Sequence, residues 1–162
     1  MKKNFVFKFG IIGCGKIAHK RAKFIEKKNI LFCYDINKKN SSKFSKKYNC
    51  KVSKNINEMF ANKNINSVII STFHNSLSKI TLEAYKKNLN VFVEKPLGKN
   101  LKDLKNLIQK ISKIKSKNII QVGYNHRFHP SILMIKKLLK NKKKTGKIMY
   151  IRSRYGHGGR KN

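Results

Sequence analysis

Short, unbroken apolar runs recur along the chain, and each is followed by a longer segment with apolar residues at helical spacing. A strand that is apolar at every position is buried on both faces. The helices between such strands must carry the chain back over one face or the other. The result is an α/β fold, a doubly wound parallel sheet. The pattern predicts strands over residues 5–12, 30–34, 50–52, 67–71, 90–94 and 119–124, and one more, alternating, over 147–155. Helices are expected over 16–28, 38–48, 56–61, 77–87, 101–114 and 130–140, the first burying Ile17, Phe24 and Ile25. Asn100 is placed as an N-cap, with Asp103 in the first turn, where a carboxylate suits the helix dipole.

"GIIGCGKIA" closes the first strand and opens the first helix. Within it, Gly13, Gly15 and Ala18 make a form of the dinucleotide-binding fingerprint. Gly13 permits a tight turn, Gly15 lets a pyrophosphate approach backbone N–H groups, and Ala18 allows helix and strand to pack closely. Cys14, Lys16 and Ile17 complete this cofactor-binding stretch. Such glycine spacing is common in tight turns, but here it stands between a strand and a helix, as phosphate binding requires. The fingerprint also calls for an acid about 20 residues on. "ILFCYD" places Asp35 at the end of the second strand, in a chain with only six acids. A carboxylate there accepts hydrogen bonds from both ribose hydroxyls and repels a 2′-phosphate, which favours NAD. Lys38 and Lys39 are close enough to tolerate a phosphate, so NADP stays open as a second cofactor.

Ligands of doubly wound sheets bind beyond the carboxyl ends of the strands. "IISTFHNSL" puts Ser71, Thr72, Phe73 and His74 there, at the end of the fourth strand. His74 is read first as a polar residue shaping the pocket, with catalysis as the second reading. His19, on the first helix, is read as a packing or surface residue. "FVEKPLGKN" brings Glu94 and Lys95 to the same crevice from the fifth strand. A lysine beside a nicotinamide ring can donate a hydrogen bond to a substrate oxygen and assist its proton transfer. Glu94 is expected to pair with Lys95 or to bind another group.

The net charge of +34 raises nucleic-acid binding as an alternative. Lysine, asparagine and isoleucine are spread evenly, however, and arginine is rare. No RRM-like aromatic signature or zinc-finger spacing occurs. No specific nucleic-acid partner is therefore expected. Cys14, Cys33 and Cys50 are odd in number and widely spaced, so reduced buried thiols are expected and no metal site. The apolar N-terminal run is interrupted by Lys8 and lacks a small-x-small cleavage site. It is read as a first strand, and the chain as cytoplasmic with no membrane span.

Together, "GIIGCGKIA", Asp35, "EKPLGKN" and "VGYNHRFHPSI" resemble the Gfo/Idh/MocA family of nicotinamide-dependent oxidoreductases. The resemblance covers essentially the whole chain. It implies hydride transfer to or from a carbon of a sugar, sugar nucleotide or polyol, with Lys95 as the site lysine. It also implies that Asn125 and Arg127 lie near nicotinamide and substrate. Phe73 departs from the family pattern, which often has proline after the threonine. Residues 1–124 are expected to form a Rossmann-type NAD(P)-binding domain. Residues 125–162 are expected to supply the first helix and strand of a second, substrate-shaping α/β domain, the chain being truncated before most of it. "RSRYGHGGR" resembles the entry to that domain, and His157 within it is a candidate substrate contact. The resemblance also implies that dimers or tetramers often form through the second domain's open sheet, so a homo-oligomer is expected only where that full-length sheet is present. The alternative function is a non-catalytic nucleotide-binding remnant.

Overall fold

The structure is a computed structural model describing residues 5–154 and residue 156. His157 lies outside the described residues. The first of two compact units runs through Tyr124 and the second begins at Asn125.

The first unit is built on a six-stranded parallel sheet in the order β3-β2-β1-β4-β5-β6. Its strands are β1 (Phe9–Ile12), β2 (Ile30–Tyr34), β3 (Lys51–Val52), β4 (Ser67–Ile70), β5 (Asn90–Val93) and β6 (Ile120–Val122). The helices between them are α1 (Lys16–Ala22), α2 (Lys38–Tyr48), α3 (Ile56–Ala61), α4 (His74–Lys86) and α5 (Leu101–Ser112). Adjacent side chains of a strand point to opposite faces. Ile11 and Ile12 are accordingly both fully buried, in different cores. Ile11 packs with Ala18 and Ala22 of α1 and Phe44 and Tyr48 of α2. Ile12 packs with Met59 and Phe60 of α3 and Leu77, Ile80 and Ala84 of α4. Each isoleucine so buried stabilises the fold by about 1.5–3 kcal/mol.

Strand register lines up the functional edge. Ile12 lies opposite Tyr34 and Ile70, Ile70 opposite Val93, and Val93 opposite Val122. The next residue of each strand therefore stands at one carboxyl edge: Gly13, Asp35, Ser71, Glu94 and Gly123. The strand order reverses between β1 and β4, and the crevice there is where such sheets take ligands.

Four elements differ from the sequence expectation, the first being β1, which starts at Phe9 rather than at residue 5. Helix α1 ends at Ala22, with a 3-10 turn at Lys27–Asn29. Its buried face is Ala18 and Ala22, while Phe24 is 91% exposed. Small side chains let this helix lie close on the sheet; Ile17 and Phe24 stay outside, while Ile25, beyond the helix end, packs partly buried against the same core. Helix α4 starts at His74 rather than Leu77. Its first turn is polar, so an apolar periodicity cannot reveal it. The strand expected over 147–155 is not formed: residues 147–154 have no regular secondary structure, and residue 155 is outside the described residues. Among the described residues no neighbour pairs with it, and a strand without a partner leaves its backbone groups unbonded.

The second unit contains a 3-10 turn at Asn125–Phe128, α6 (Pro130–Lys140) and α7 (Lys142–Thr145). Pro130 is at the start of α6, where its missing N–H costs nothing. His129 caps the helix, its Nδ1 accepting from the Ser131 N–H. No residue of α6 is buried.

Helix α5 begins as the sequence indicates. The Asn100 side chain accepts from Asp103 N at 2.9 Å, and Asp103 accepts from Lys99 N at 3.0 Å. Asp103 also accepts from the Ser78 hydroxyl of α4. The Lys99 N–H, and after it the Ser78 hydroxyl, hold the Asp103 carboxyl below its ordinary value of 3.8. A carboxyl lowered in the folded state contributes stability above its unfolded pKa and loses it as pH falls through the folded value. Asp103→Asn is expected to melt at a lower temperature than the native chain at neutral pH. The gap should close in melts run below pH 3.8 as the native carboxyl protonates.

Candidate functional site

The turn after β1 is fixed by its neighbours on both sides. Gly13 N donates to Tyr34 O at 2.8 Å, and the Ser71 hydroxyl donates to Gly13 O at 2.8 Å. Gly13 has a φ of +84°, and a Cβ there would lie 2.7 Å from the Ser71 backbone. At Gly15, by contrast, a Cβ would meet no atom within 4 Å. The turn is thus closed beneath and open above. Gly15 is the N-cap of α1 and contributes no side-chain cap. The first amides of a helix lack intrahelical acceptors, so this open space adjoins unpaired donors.

Asp35 is half-buried and held by backbone on two sides. Its Oδ2 accepts from Cys14 N at 2.7 Å, inside the glycine turn, and its Oδ1 from Asn37 N at 2.8 Å. An ionised carboxylate has about four lone-pair sites. Each oxygen therefore keeps acceptor capacity for a ligand hydroxyl. The donors above Gly15 and the acceptor at Asp35 fit the phosphates and a ribose of a dinucleotide. Asn37 caps α2, and Lys38 and Lys39 follow, both exposed.

The β4 end carries Ser71 and Thr72, both half-buried, and then Phe73 and His74. Thr72 Oγ1 and Ser76 Oγ are 2.8 Å apart. Phe73, the N-cap of α4, is 77% exposed. His74 is exposed and belongs to the first turn of α4, not to a loop.

The β5 end separates its two charged residues. Glu94 is only 9% exposed, and its Oε1 accepts from Arg21 Nε at 2.6 Å. Lys95 is exposed and has no partner among the described residues. Its peptide bond to Pro96 is cis. Glu94 therefore pairs with Arg21 and not with Lys95. Arg21 was not singled out by sequence reasoning. Its spacing with Ala18 and Ala22, one helical turn apart, puts it on the side of α1 that meets the sheet.

Cys14, Cys33 and Cys50 are free, buried and in one core cluster. A hydrogen bond with the Cys14 thiol, outweighing an opposing one with Cys50, acts with burial to push the Cys33 thiol up to about 12. The Cys50 thiol is raised too, first by its bond with Cys33. Neither supplies a thiolate at neutral pH. His19 packs against the rings of Phe44 and Tyr48, and burial, then Lys47, lowers its pKa. Among the described residues no three His, Cys, Asp or Glu side chains gather as a metal site, and no helix is long and apolar enough to cross a membrane. Asn125 and Arg127 are exposed in the turn that opens the second unit, with Arg127 over the Phe128 ring at 5.5 Å.

A parallel sheet in this order, with a glycine turn after β1 and an acid after β2, defines the first unit as a Rossmann dinucleotide-binding domain. The chain belongs to the Gfo/Idh/MocA oxidoreductase family, whose NAD-binding Rossmann-fold model matches residues 7–124. It is 26% identical over 138 residues to the myo-inositol 2-dehydrogenase of Thermotoga maritima, covering 83% of this chain and 41% of that protein. The crystal structure of Lactobacillus casei myo-inositol dehydrogenase with NAD(H) and myo-inositol superposes with a TM-score of 0.78 at 24% identity, covering 85% of this chain and 42% of that one. The myo-inositol 2-dehydrogenase of Lactobacillus plantarum gives 0.79 at 23% identity, covering 90% and 44%. These structural likenesses establish the fold. The chain spans less than half the length of these relatives.

Proposed function

We propose that this chain is the nucleotide-binding part of an NAD-dependent dehydrogenase acting on a polyol or sugar-type carbinol. The observation that carries the reading is the Asp35 carboxylate, bonded to the glycine turn itself and still able to accept. Asp35 takes the ribose hydroxyls of the adenosine half, and its charge disfavours a 2′-phosphate. The turn from Gly13 to Ala18 takes the pyrophosphate. Ser71, Thr72, Phe73 and His74 border the path from adenosine to nicotinamide. When bound, the nicotinamide supplies the acceptor or donor of hydride.

Lys95 acts at the reacting oxygen. In the oxidation direction the Lys95 amine takes the proton of the carbinol hydroxyl, and in the reduction direction the ammonium returns it to the carbonyl oxygen. The exposure of Lys95 and its lack of a partner among the described residues leave the side chain free for that task. Asn125, Arg127 and His157 are the remaining substrate candidates, and the inositol dehydrogenases among the relatives make a cyclic polyol the first substrate class to try.

The test is formation of reduced nicotinamide from NAD with a panel of inositols, sugars and sugar nucleotides. Turnover of at least one is expected, and Lys95→Ala should lower it by about 100-fold or more, the usual weight of a proton-transfer group. Turnover unchanged in Lys95→Ala contradicts the reading, and NAD binding with turnover of no member of the panel assigns the chain to the non-catalytic nucleotide-binding remnant instead.

A further inference from the structure

Arg21 belongs neither to the glycine fingerprint nor to the strand ends, yet it joins them. It lies on α1, which begins directly after the glycine turn. Its guanidinium reaches Glu94 at the carboxyl end of β5, with Nε at 2.6 Å and Nη2 at 2.5 Å from Oε1. It also sits over the Phe92 ring, 5.3 Å from the centroid. The pair is shielded, its side chains being 25% and 12% exposed. The other ion pair among the described residues, Lys28 with Glu26, is 78% and 67% exposed.

The surroundings are shaped to this contact. A Cβ at Gly123, at the end of β6, would lie 3.3 Å from Glu94 Oε2 and 3.3 Å from Phe92. The missing side chain gives the carboxylate its room. Glu94 N donates to Ile70 O at 2.9 Å, so the backbone is still in the ladder at this residue. The next residue is Lys95. In a lysine-rich chain, the shielded partner is an arginine, whose planar fork can bond a carboxylate and stack on an aromatic ring at once.

We propose that Arg21 is a positioning residue: its ion pair with Glu94 fastens the turn that carries Lys95 to the helix that follows the glycine turn. The two halves of the cofactor crevice are thereby held in one register. The inference rests on the proposed cofactor and on the role given to Lys95.

The test is NADH binding to the native chain, Arg21→Gln, Lys95→Met and the double variant. The dissociation constant is governed by the adenosine and pyrophosphate contacts. The fluorescence of bound NADH reports the surroundings of the nicotinamide ring. Lys95→Met should change that emission, Arg21→Gln should change it by a similar amount, and the double variant should add nothing further, because coupled residues are non-additive. The dissociation constant of Arg21→Gln should stay within about threefold of native, as expected for a change remote from the adenosine contacts. Arg21→Met/Glu94→Leu leaves no unpaired buried charge and should fold as stably as the native chain. It should nevertheless keep the emission defect of Arg21→Gln. Additive changes, or native emission in Arg21→Met/Glu94→Leu, would overturn the assignment while leaving the cofactor reading intact. Failure of the native chain to bind NADH would overturn both.

Discussion

Gly13→Ala is expected to be the most destabilising single-methyl change in the first unit. At φ +84° an L-residue is strained. The added Cβ would also fall 2.7 Å from the Ser71 carbonyl and 2.8 Å from Thr72 N, both backbone atoms that cannot turn aside. Strain of this kind costs about 1–3 kcal/mol before any clash. Relieving the clash means parting β1 from β4 where the strand order reverses. A total loss of about 3 kcal/mol or more is expected, which lowers the melting temperature of a domain this size by about 10 °C. NAD binding should be lost with it. Gly15→Ala is the control: no atom lies within 4 Å of its Cβ. That variant should melt close to the native chain but bind NAD poorly, because the methyl occupies the space proposed for a phosphate. Thermal melts and NAD titration of the two variants separate fold from site.

Asp35→Ala is expected to have the largest effect on the cofactor alone. Charge-assisted hydrogen bonds are worth about 1.5–3 kcal/mol, so loss of the ribose contacts should weaken NAD about 10- to 100-fold. The same change removes the acceptor of Cys14 N and Asn37 N, which loosens the turn and the start of α2. Asp35→Asn keeps one oxygen acceptor and should fall between the two. Preference between cofactors should move as well, since the carboxylate is what repels a 2′-phosphate. With it gone, Lys38 and Lys39, which follow shortly in the sequence, remain to favour a phosphate.

The places of Gly13, Gly15, Asp35 and Lys95 along the carboxyl edge of the sheet were legible in the sequence because each belongs to a local pattern. A turn between strand and helix, or the end of an apolar run, fixes where a residue lies on the sheet without knowledge of the rest. The sheet was legible for the same reason, since strands buried on both faces announce themselves. Arg21 was not legible as the partner of Glu94, because a contact spanning 73 positions is made only by folding. The buried face of α1 was misread because a small-residue face, Ala18 and Ala22, carries little hydrophobic signal beside Phe24. The strand expected over 147–155 failed differently. Alternation describes one strand, but pairing needs a second, and no other described segment supplies it. His74 shows the same limit on a smaller scale. A polar first turn looks like a loop until the hydrogen bonds of the helix are seen.

The carboxyl edge of this sheet is expected to hold NAD through the glycine turn and Asp35. Calorimetric titration of the native chain and Asp35→Ala with NAD and with NADP tests it directly. The native chain is expected to bind NAD, to bind NADP more weakly, and to lose most of that difference in Asp35→Ala. Absence of NAD binding by the native chain, or NAD binding unchanged in Asp35→Ala, would contradict it.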